Sequence, residues 1–248
     1  MRPQNEDSYF AGNQIWAVAD GMGGQAAGDV ASRIVIDRLS ERDQGGPLSE
    51  SDLEPLLDSI NAAIVAHGHA NADARDLGST VSGLAAVRLG AADHWAIFNI
   101  GDSRVYRFVA GALQQVTIDH NEVEEAVAAG RLDPEEARTH PSRHVLTRSL
   151  GSTPGPRADV VLLPQADDDV FLICSDGLTS EVAEPDIAAI LGACPDPIWA
   201  VDQLVDLAIA NGGHDNVTAM ILQVVPAEGP ASDLEEKTIP RSSPQGAL

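Results

Sequence analysis

The feature that most constrains the fold is a series of closely spaced apolar runs between residues 79 and 117. These runs read STVSGLAAVRL, HWAIFNI, RVYRFV and LQQV, and short turns containing Gly, Asp and Ala separate them. Runs of this length and composition are typical of β-strands. The intervals are too short for crossover helices, so consecutive strands must pair as hairpins in an antiparallel sheet.

Helical patterns lie on either side of this strand region. Apolar residues recur at helical spacing over 30–39 and 53–67, and again near 185–192 and 197–210. Further strands are predicted at 159–163, at 170–174 and in the closing segment NVTAMILQVV. This grouping of helices and strands predicts the α+β class, with two antiparallel sheets packed face to face and helix pairs outside. We expect one domain over residues 1–226, followed by a disordered acidic, Pro- and Ser-rich tail at 227–248.

The acidic composition limits the partners of the chain. Its 248 residues carry a formal net charge of −23, and the long-range field of such a chain repels polyanions. Nucleic acid and anionic membranes are therefore disfavoured as partners. The sequence contains no apolar stretch of membrane-spanning length, and its first residues lack the apolar core of a signal peptide. We therefore expect a cytoplasmic protein, and we expect it to be a monomer.

The segment WAVADGMGG at residues 16–24 has two possible functions. Residues 21–26 match the dinucleotide-binding pattern G-x-G-x-x-A between a strand and a helix. However, Asp20 directly precedes the first glycine, where its charge would oppose a pyrophosphate, and the following segments are not βαβ units. The alternative is that Asp20 binds a metal ion.

Several other acidic residues also stand at the ends of apolar runs. Asp102 lies in NIGDSR, Asp176 in LICSDG and Asp215 in GGHDNVT, and the pair Glu6 and Asp7 lies in RPQNEDS. A single Asp-Gly pair is usually only a turn. If the strand ends converge, however, these carboxylates would repel one another unless a cation neutralises them. Oxygen ligands of this kind favour Mg²⁺ or Mn²⁺.

Seven short motifs occur along the chain in the order RPQNED, ADGMGG, GST, GDSR, LTRSLG, SDGLT and GGHDNVT. In this order, over residues 2–225, they resemble bacterial metal-dependent serine/threonine protein phosphatases of the PPM/PP2C type. The resemblance implies a four-layer αββα sandwich with a centre of two Mn²⁺ or Mg²⁺ ions between the sheets. It implies hydrolysis of phosphoserine and phosphothreonine in substrates of a Ser/Thr kinase, by a hydroxide that bridges the metals. The alternative is a catalytically weak pseudo-phosphatase that acts as a binding module in signalling.

The resemblance also implies ligands for the two core ions. Asp20 corresponds to the aspartate that bridges both metals, and the carbonyl of Gly21 would join one of them. Asp176 and Asp215 would complete the coordination of the other.

Further roles follow from the same resemblance. Glu6 and Asp7 correspond to acidic residues that hold metal-bound waters, and Asn216 corresponds to the asparagine beside the last ligand. Asp102 corresponds to the aspartate of a weaker third metal site. Arg2 corresponds to the arginine that grips the substrate phosphate.

The sequence departs from the family pattern at two positions near the expected site. Gln25 stands where bacterial members often carry a histidine that is a candidate proton donor to the leaving oxygen, and Gln cannot take this role. Ser180 stands where an acidic residue is common, so we expect a weakened third metal site. Residues 119–150 correspond to a mobile flap beside the active site. We expect His140 and His144 in this flap to be surface residues rather than ligands.

Overall fold

The structure is a computed structural model, which describes residues 4–23, 27–71, 76–137, 139–193 and 196–225. Its strands are β1 (Asp7–Ala11), β2 (Ile15–Met22), β3 (Gly78–Ser79), β4 (Val81–Leu89), β5 (Ala92–Ile100), β6 (Arg104–Val109), β7 (Ala112–Gln115), β8 (Asp159–Pro164), β9 (Val170–Cys174) and β10 (Ala219–Gln223). Its α-helices are α1 (Gly28–Asp43), α2 (Leu53–Ala70), α3 (Glu122–Ala128), α4 (Pro134–Ala137), α5 (Asp176–Glu181), α6 (Glu184–Gly192) and α7 (Pro197–Asn211). Short 3₁₀ helices cover Glu50–Asp52 and Pro141–His144.

The strands form two sheets, and all pairings between them are antiparallel. The first sheet has the order β1-β2-β4-β5-β8, with β3 paired to β2, and the second has the order β10-β9-β6-β7. Two of the predicted hairpins are confirmed, because β4 pairs with β5 over Val81↔Ile100 to Leu89↔Ala92 and β6 pairs with β7. The expected pairing of β5 with β6 is wrong, because the chain passes from the first sheet to the second between these two strands. A dinucleotide-binding turn at residues 21–26 would require a βαβ unit with parallel strands, and the antiparallel pairing excludes such a unit.

Alternation along the strands produces the layers. On β2, Ile15 and Ala17 face α1 and α2, whereas Val18 faces the second sheet. Phe171 and Ile173 of β9 complete this apolar interface between the two sheets. Residues of β9 with the opposite orientation pack against α5, α6 and α7. The fold is therefore an α+β sandwich with helices outside both sheets, as predicted.

Most element boundaries agree with the sequence patterns, but the last strand is shorter than its pattern and α1 is longer. The segment at 216–225 was expected to be extended throughout, but β10 covers only Ala219–Gln223. The backbone N–H of Thr218, just before β10, donates to a side chain rather than to a neighbouring strand, since it bonds Ser175 Oγ at 3.0 Å. The domain boundary at 226/227 remains a prediction, since the tail lies outside the described residues. In the described part of the chain, no helix is both long and apolar enough to cross a bilayer.

Candidate metal centre

Five carboxylates that the sequence analysis selected lie close together at one rim of the two sheets. Asp7 and Asp20 are direct partners across β1 and β2, and Asp176 begins α5 just after β9. Burial, together with the charges of Asp7, Asp176, Asp102 and Asp215, raises the pKa of Asp20 well above its ordinary value. A raised pKa of this origin indicates that the negative charges are gathered in one place.

The backbone of Asp20 is held by the motif GST at residues 78–80. The N–H of Asp20 donates to Thr80 Oγ1 at 3.0 Å, and its carbonyl accepts from Thr80 N–H at 2.9 Å and from Ser79 Oγ at 3.1 Å. Thr80 Oγ1 also lies 2.8 Å from Ser103 Oγ, beside the loop that carries Asp102. Small hydroxyl residues are thus required here because they hold the peptide from which the Asp20 carboxylate projects.

A close approach of two glycines positions the predicted carbonyl ligand. A Cβ atom on Gly21 would lie 2.0 Å from the carbonyl oxygen of Gly28, and one on Gly28 would lie 2.7 Å from the Gly21 carbonyl oxygen and 2.8 Å from Glu6 Oε1. No larger residue fits at either position without moving the backbone. The Gly21 N–H also donates to the Glu6 carbonyl at 3.1 Å. The Gly21 carbonyl and the Glu6 carboxylate therefore lie next to each other.

Hydrogen bonds between the two ends of the domain complete the site. Glu6 N–H donates to Asn216 Oδ1 at 3.0 Å, although 210 positions separate the two residues. Ser175 Oγ donates to Asp7 Oδ2 at 2.8 Å. A Cβ atom on Gly177 would lie 1.9 Å from the Asn216 carbonyl oxygen. These contacts bring the N-terminal carboxylates against the segments that carry Asp176 and Asp215.

The donor atoms fit hard divalent cations. Among the described residues, no hydrogen-bond donor reaches the buried Oδ1 of Asp7, and burial is the main cause that raises the pKa of this carboxyl. A buried, unpaired carboxylate oxygen is costly unless it is neutralised or hydrogen-bonded. A cation, directly or through its bound water, would supply that partner. Because carboxylate and carbonyl oxygens form the set, Mg²⁺ or Mn²⁺ suits it better than a thiophilic metal.

A second group of donors adjoins the first on the side of the flap. Asp102, His144 and Asp176 each offer one ligand atom, and these three atoms lie within 4.8 Å of one another. Burial, followed by the charges of Asp176 and Asp119, raises the pKa of Asp102 to about 7. These three residues line a cleft of about 690 Å³, which Ser180 also lines. The cleft provides space for a substrate side chain beside the carboxylates.

The structure thus places eight of the selected residues around one rim: Glu6, Asp7, Asp20, Gly21, Asp102, Asp176, Asp215 and Asn216. The assignment of Asp20, Gly21, Asp102, Asp176 and Asp215 as ligands, and of Glu6, Asp7 and Asn216 as residues that support them, remains a prediction. Arg2 and Gln25 lie outside the described residues. His144 lies at the surface, as the sequence analysis predicts, and it also lines the cleft. His144 is half exposed, but its Nδ1 lies 3.3 Å from Asp176 Oδ2. No periodicity or spacing distinguishes it from His140, since only the folded flap brings it to the cleft.

Comparison with known proteins gives a consistent result. A family model described as protein phosphatase 2C matches residues 4–203. The serine/threonine protein phosphatase PstP of Mycobacterium tuberculosis is 36% identical over 228 residues, which are 91% of this chain but 43% of PstP, so this chain spans less than half of that relative. The serine/threonine phosphatase stp of Listeria monocytogenes is 34% identical over 234 residues, which cover 90% of this chain and 91% of stp.

Solved structures agree with these relatives. The catalytic domain of PstP in complex with two manganese ions superposes with a TM-score of 0.81 at 33% identity, covering 91% of this chain and 94% of that structure. Stp1 of Staphylococcus aureus gives the same TM-score of 0.81 at 33% identity, with 91% of each chain covered.

Proposed function

Because the chain belongs to the protein phosphatase 2C family, we propose that it is a metal-dependent enzyme that hydrolyses phosphoserine and phosphothreonine in proteins. The observation that carries this proposal is the gathering of Asp7, Asp20, Asp102, Asp176 and Asp215 around one another, since their charges together raise the pKa of Asp20. Acidic groups gathered in this way repel one another unless cations neutralise them. Relatives named as serine/threonine phosphatases support the substrate class.

In this proposal some residues would bind the cations, and others would position the residues that bind them. Asp20 would be a ligand of both core cations, the Gly21 carbonyl of one, and Asp176 and Asp215 of the other. Glu6 and Asp7 would hold water bound to these cations, and Asn216 fixes the Glu6 backbone by accepting its N–H. Two divalent cations, which we propose to be Mn²⁺ or Mg²⁺, would supply Lewis acidity that activates water and neutralises charge on the phosphoryl group.

The remaining steps belong to the chain's own groups. Arg2 would bind the phosphoryl oxygens through the two-pronged donors of its guanidinium. The cleft beside Asp102 and Asp176 would accept the residues that flank the phosphorylated side chain, since its volume of about 690 Å³ exceeds that of one side chain. The physiological substrates would be proteins phosphorylated by a Ser/Thr kinase.

Hydrolysis of a phosphothreonine peptide, with p-nitrophenyl phosphate as a second substrate, tests the proposal. The purified protein should release phosphate with Mn²⁺ and should stop when EDTA is added. Asp215→Asn should lower kcat at saturating Mn²⁺ by about a hundredfold or more, because a core position loses a ligand. Asp58→Asn is the matched control, since Asp58 is exposed on α2, and it should retain full activity.

Two outcomes would contradict this function. Near-normal turnover of Asp215→Asn at saturating Mn²⁺ would refute the assignment of the metal centre. A wild-type protein that binds Mn²⁺ and phosphopeptide without hydrolysis would instead be a pseudo-phosphatase that acts as a binding module.

Arg2→Ala should raise KM for the peptide, and an unchanged kcat/KM would refute the role of Arg2.

A further inference from the structure

We propose that Glu124 and Glu184 determine which phosphoproteins the cleft accepts, because they select an arginine or lysine side chain close to the phosphorylated residue. This inference deepens the proposed function and rests on it, since it assigns a sequence preference to the same site. Glu124 lies on α3 of the flap and Glu184 begins α6, so the two carboxylates reach the cleft from separate parts of the fold.

The cleft has the composition that a long basic side chain requires. Asp102 and Asp176 line it beside the metal centre, and its volume of about 690 Å³ leaves room for more than one substrate side chain. The aliphatic stem of arginine or lysine packs on apolar surface while the charged end stays at a polar group. The lining supplies such a surface through Leu113, Val123, Val182 and Ala188.

Arg104, a base that lines the same cleft, is already bound to another carboxylate. Its Nε donates to Asp119 Oδ1 at 2.9 Å, and its Nη2 donates to Asp119 Oδ2 at 2.8 Å. Its Nη1 donates to Tyr106 Oη at 2.9 Å and lies 3.9 Å from Glu184 Oε1, beyond hydrogen-bond distance. Arg104 therefore pairs with Asp119 and leaves most of the charge of Glu184 without a cation.

The Glu184 carboxylate can accept further donors. The Tyr106 hydroxyl donates to Glu184 Oε1 at 3.2 Å, and this donor is neutral. A carboxylate has about four acceptor positions, so the remaining ones suit the paired N–H groups of a guanidinium. The Glu184 side chain is 52% exposed, which lets a substrate reach it.

Glu124 lies in surroundings that favour a cation. Burial, followed by the charge of Asp119, raises the pKa of Glu124, and the charge of Arg104 offsets this rise only in part. The carboxylate is therefore next to more negative than positive charge. A basic substrate residue would remove this imbalance, whereas an acidic residue would increase it.

The other bases that line the cleft, Arg143 and His144, belong to its metal end. They are neighbours on the 3₁₀ helix Pro141–His144, and His144 Nδ1 lies 3.3 Å from Asp176 Oδ2. The cleft is thus basic beside the ligand Asp176 and acidic at Glu124 and Glu184. A peptide with a phosphorylated residue at the first position and a basic residue at the second complements both ends.

The chain between Asp176 and Glu184 indicates where the basic residue should stand. Helix α5 covers Asp176–Glu181, and its rise of 1.5 Å per residue gives roughly 8 Å. The residues from there to Glu184 add at most about 10 Å. Because an extended peptide advances about 3.3 Å per residue, the basic residue should lie roughly two to five positions from the phosphorylated one.

Two phosphothreonine peptides test the assignment. One carries arginine throughout that window on both sides of the phosphothreonine, and the other carries citrulline, the neutral isostere of arginine, at the same positions. With Mn²⁺ at physiological ionic strength, wild type should hydrolyse the arginine peptide with a roughly tenfold higher kcat/KM. Glu124→Gln and Glu184→Gln should each reduce this ratio by about threefold, and the double variant should bring it to within about twofold of unity.

Two controls separate a local contact from the general attraction of an acidic protein for basic peptides. Glu50→Gln removes the same charge from an exposed position at the start of the 3₁₀ helix Glu50–Asp52, and its ratio should equal that of wild type. The double variant Glu124→Lys/Glu184→Lys should invert the preference, so that a peptide with glutamate in the window becomes a better substrate than the arginine peptide. Disturbed packing alone would not produce this inversion.

Binding of the unphosphorylated arginine and citrulline peptides, followed by fluorescence polarisation in Mn²⁺, separates this inference from the proposed function, since neither peptide can be hydrolysed. Three results would overturn only the role of Glu124 and Glu184: hydrolysis without an arginine preference, a preference that survives in the double glutamine variant, or an equal loss in Glu50→Gln. A protein that hydrolyses neither phosphopeptide, yet binds the arginine peptide more tightly and loses this difference in the double glutamine variant, refutes only the proposed function.

Discussion

Replacement of Asp20 by asparagine should stabilise the metal-free protein while it abolishes hydrolysis. The Asp20 carboxylate is largely buried, and the nearby charges of Asp7, Asp176, Asp102 and Asp215 raise its pKa. Without cations, the folded state must therefore either keep this repulsion or protonate the carboxyl. Asparagine has nearly the same shape and carries no charge, so the variant escapes both costs.

The magnitude follows from the geometry of β1 and β2. Asp7 and Asp20 are direct partners, so their side chains begin about 5 Å apart. Two unit charges at that distance repel by about 3 kcal/mol at an effective dielectric constant of 20. At pH 7 the repulsion can cost the folded state no more than about 4 kcal/mol, because above that value the folded state would instead protonate the carboxyl, whose ordinary pKa is 3.8. For a domain of this size, about 3 kcal/mol corresponds to a Tm increase of roughly 6 to 12 °C.

Thermal unfolding followed by circular dichroism, in EDTA and in Mn²⁺, measures this effect. In EDTA, Asp20→Asn should melt above wild type, and Asp58→Asn should match wild type. With Mn²⁺ at a hundred times Kd, wild type should gain about 2.7 kcal/mol for each bound ion, whereas Asp20→Asn should gain little. If Asp20→Asn melts at or below wild type in EDTA, the carboxylates do not repel one another and the reasoning fails.

Three further predictions concern the same rim. In EDTA, wild-type stability should fall relative to Asp102→Asn as pH rises from about 4 to 7, because the folded carboxyl, with its pKa of about 7, keeps a proton that the unfolded chain releases at its ordinary 3.8. Thermal scans at several pH values check this, and a constant difference would contradict it. Ser180→Asp should lower the Mn²⁺ concentration for half-maximal hydrolysis, and an unchanged titration would show that position 180 does not face the ions. Gly177→Ala should destabilise the fold by about 1–3 kcal/mol in urea, because its Cβ would lie 1.9 Å from the Asn216 carbonyl oxygen. Gly192→Ala, whose Cβ would meet only Phe108 at 3.6 Å among the described residues, should cost less, and equal losses would refute the clash.

The local part of the fold could be predicted from the sequence because its determinants are close together in the chain. The hairpin of β4 and β5 follows from apolar runs that a single short turn connects, and the structure confirms it. Asp102 and Asp176 stood out because each ends such a run. A carboxylate at the end of an apolar run can be recognised from the sequence alone, without knowledge of how the strands pair.

The remaining features depend on contacts between distant segments. The pairing of β8 with β5 joins Asp159 to Asn99 across the whole flap, and no local pattern specifies that partner. His144 likewise reaches Asp176 only when the flap folds against His120. The sequence shows that a histidine is present, but its distance from Asp176 depends on tertiary packing.

The hydrogen bond between Glu6 and Asn216 joins the two ends of the domain, and this joining has a consequence for biosynthesis. Asp20 and Asp215 are 195 positions apart, so a ribosome that adds about 5–20 residues per second needs roughly 10 to 40 seconds between them. During that interval the nascent chain carries only part of the acidic cluster that the folded domain assembles. Closure of so long a loop is also a slow step in folding, because its entropic cost precedes the contacts that offset it. The complete cluster, and with it the proposed hydrolysis, should therefore arise only after translation has passed Asp215.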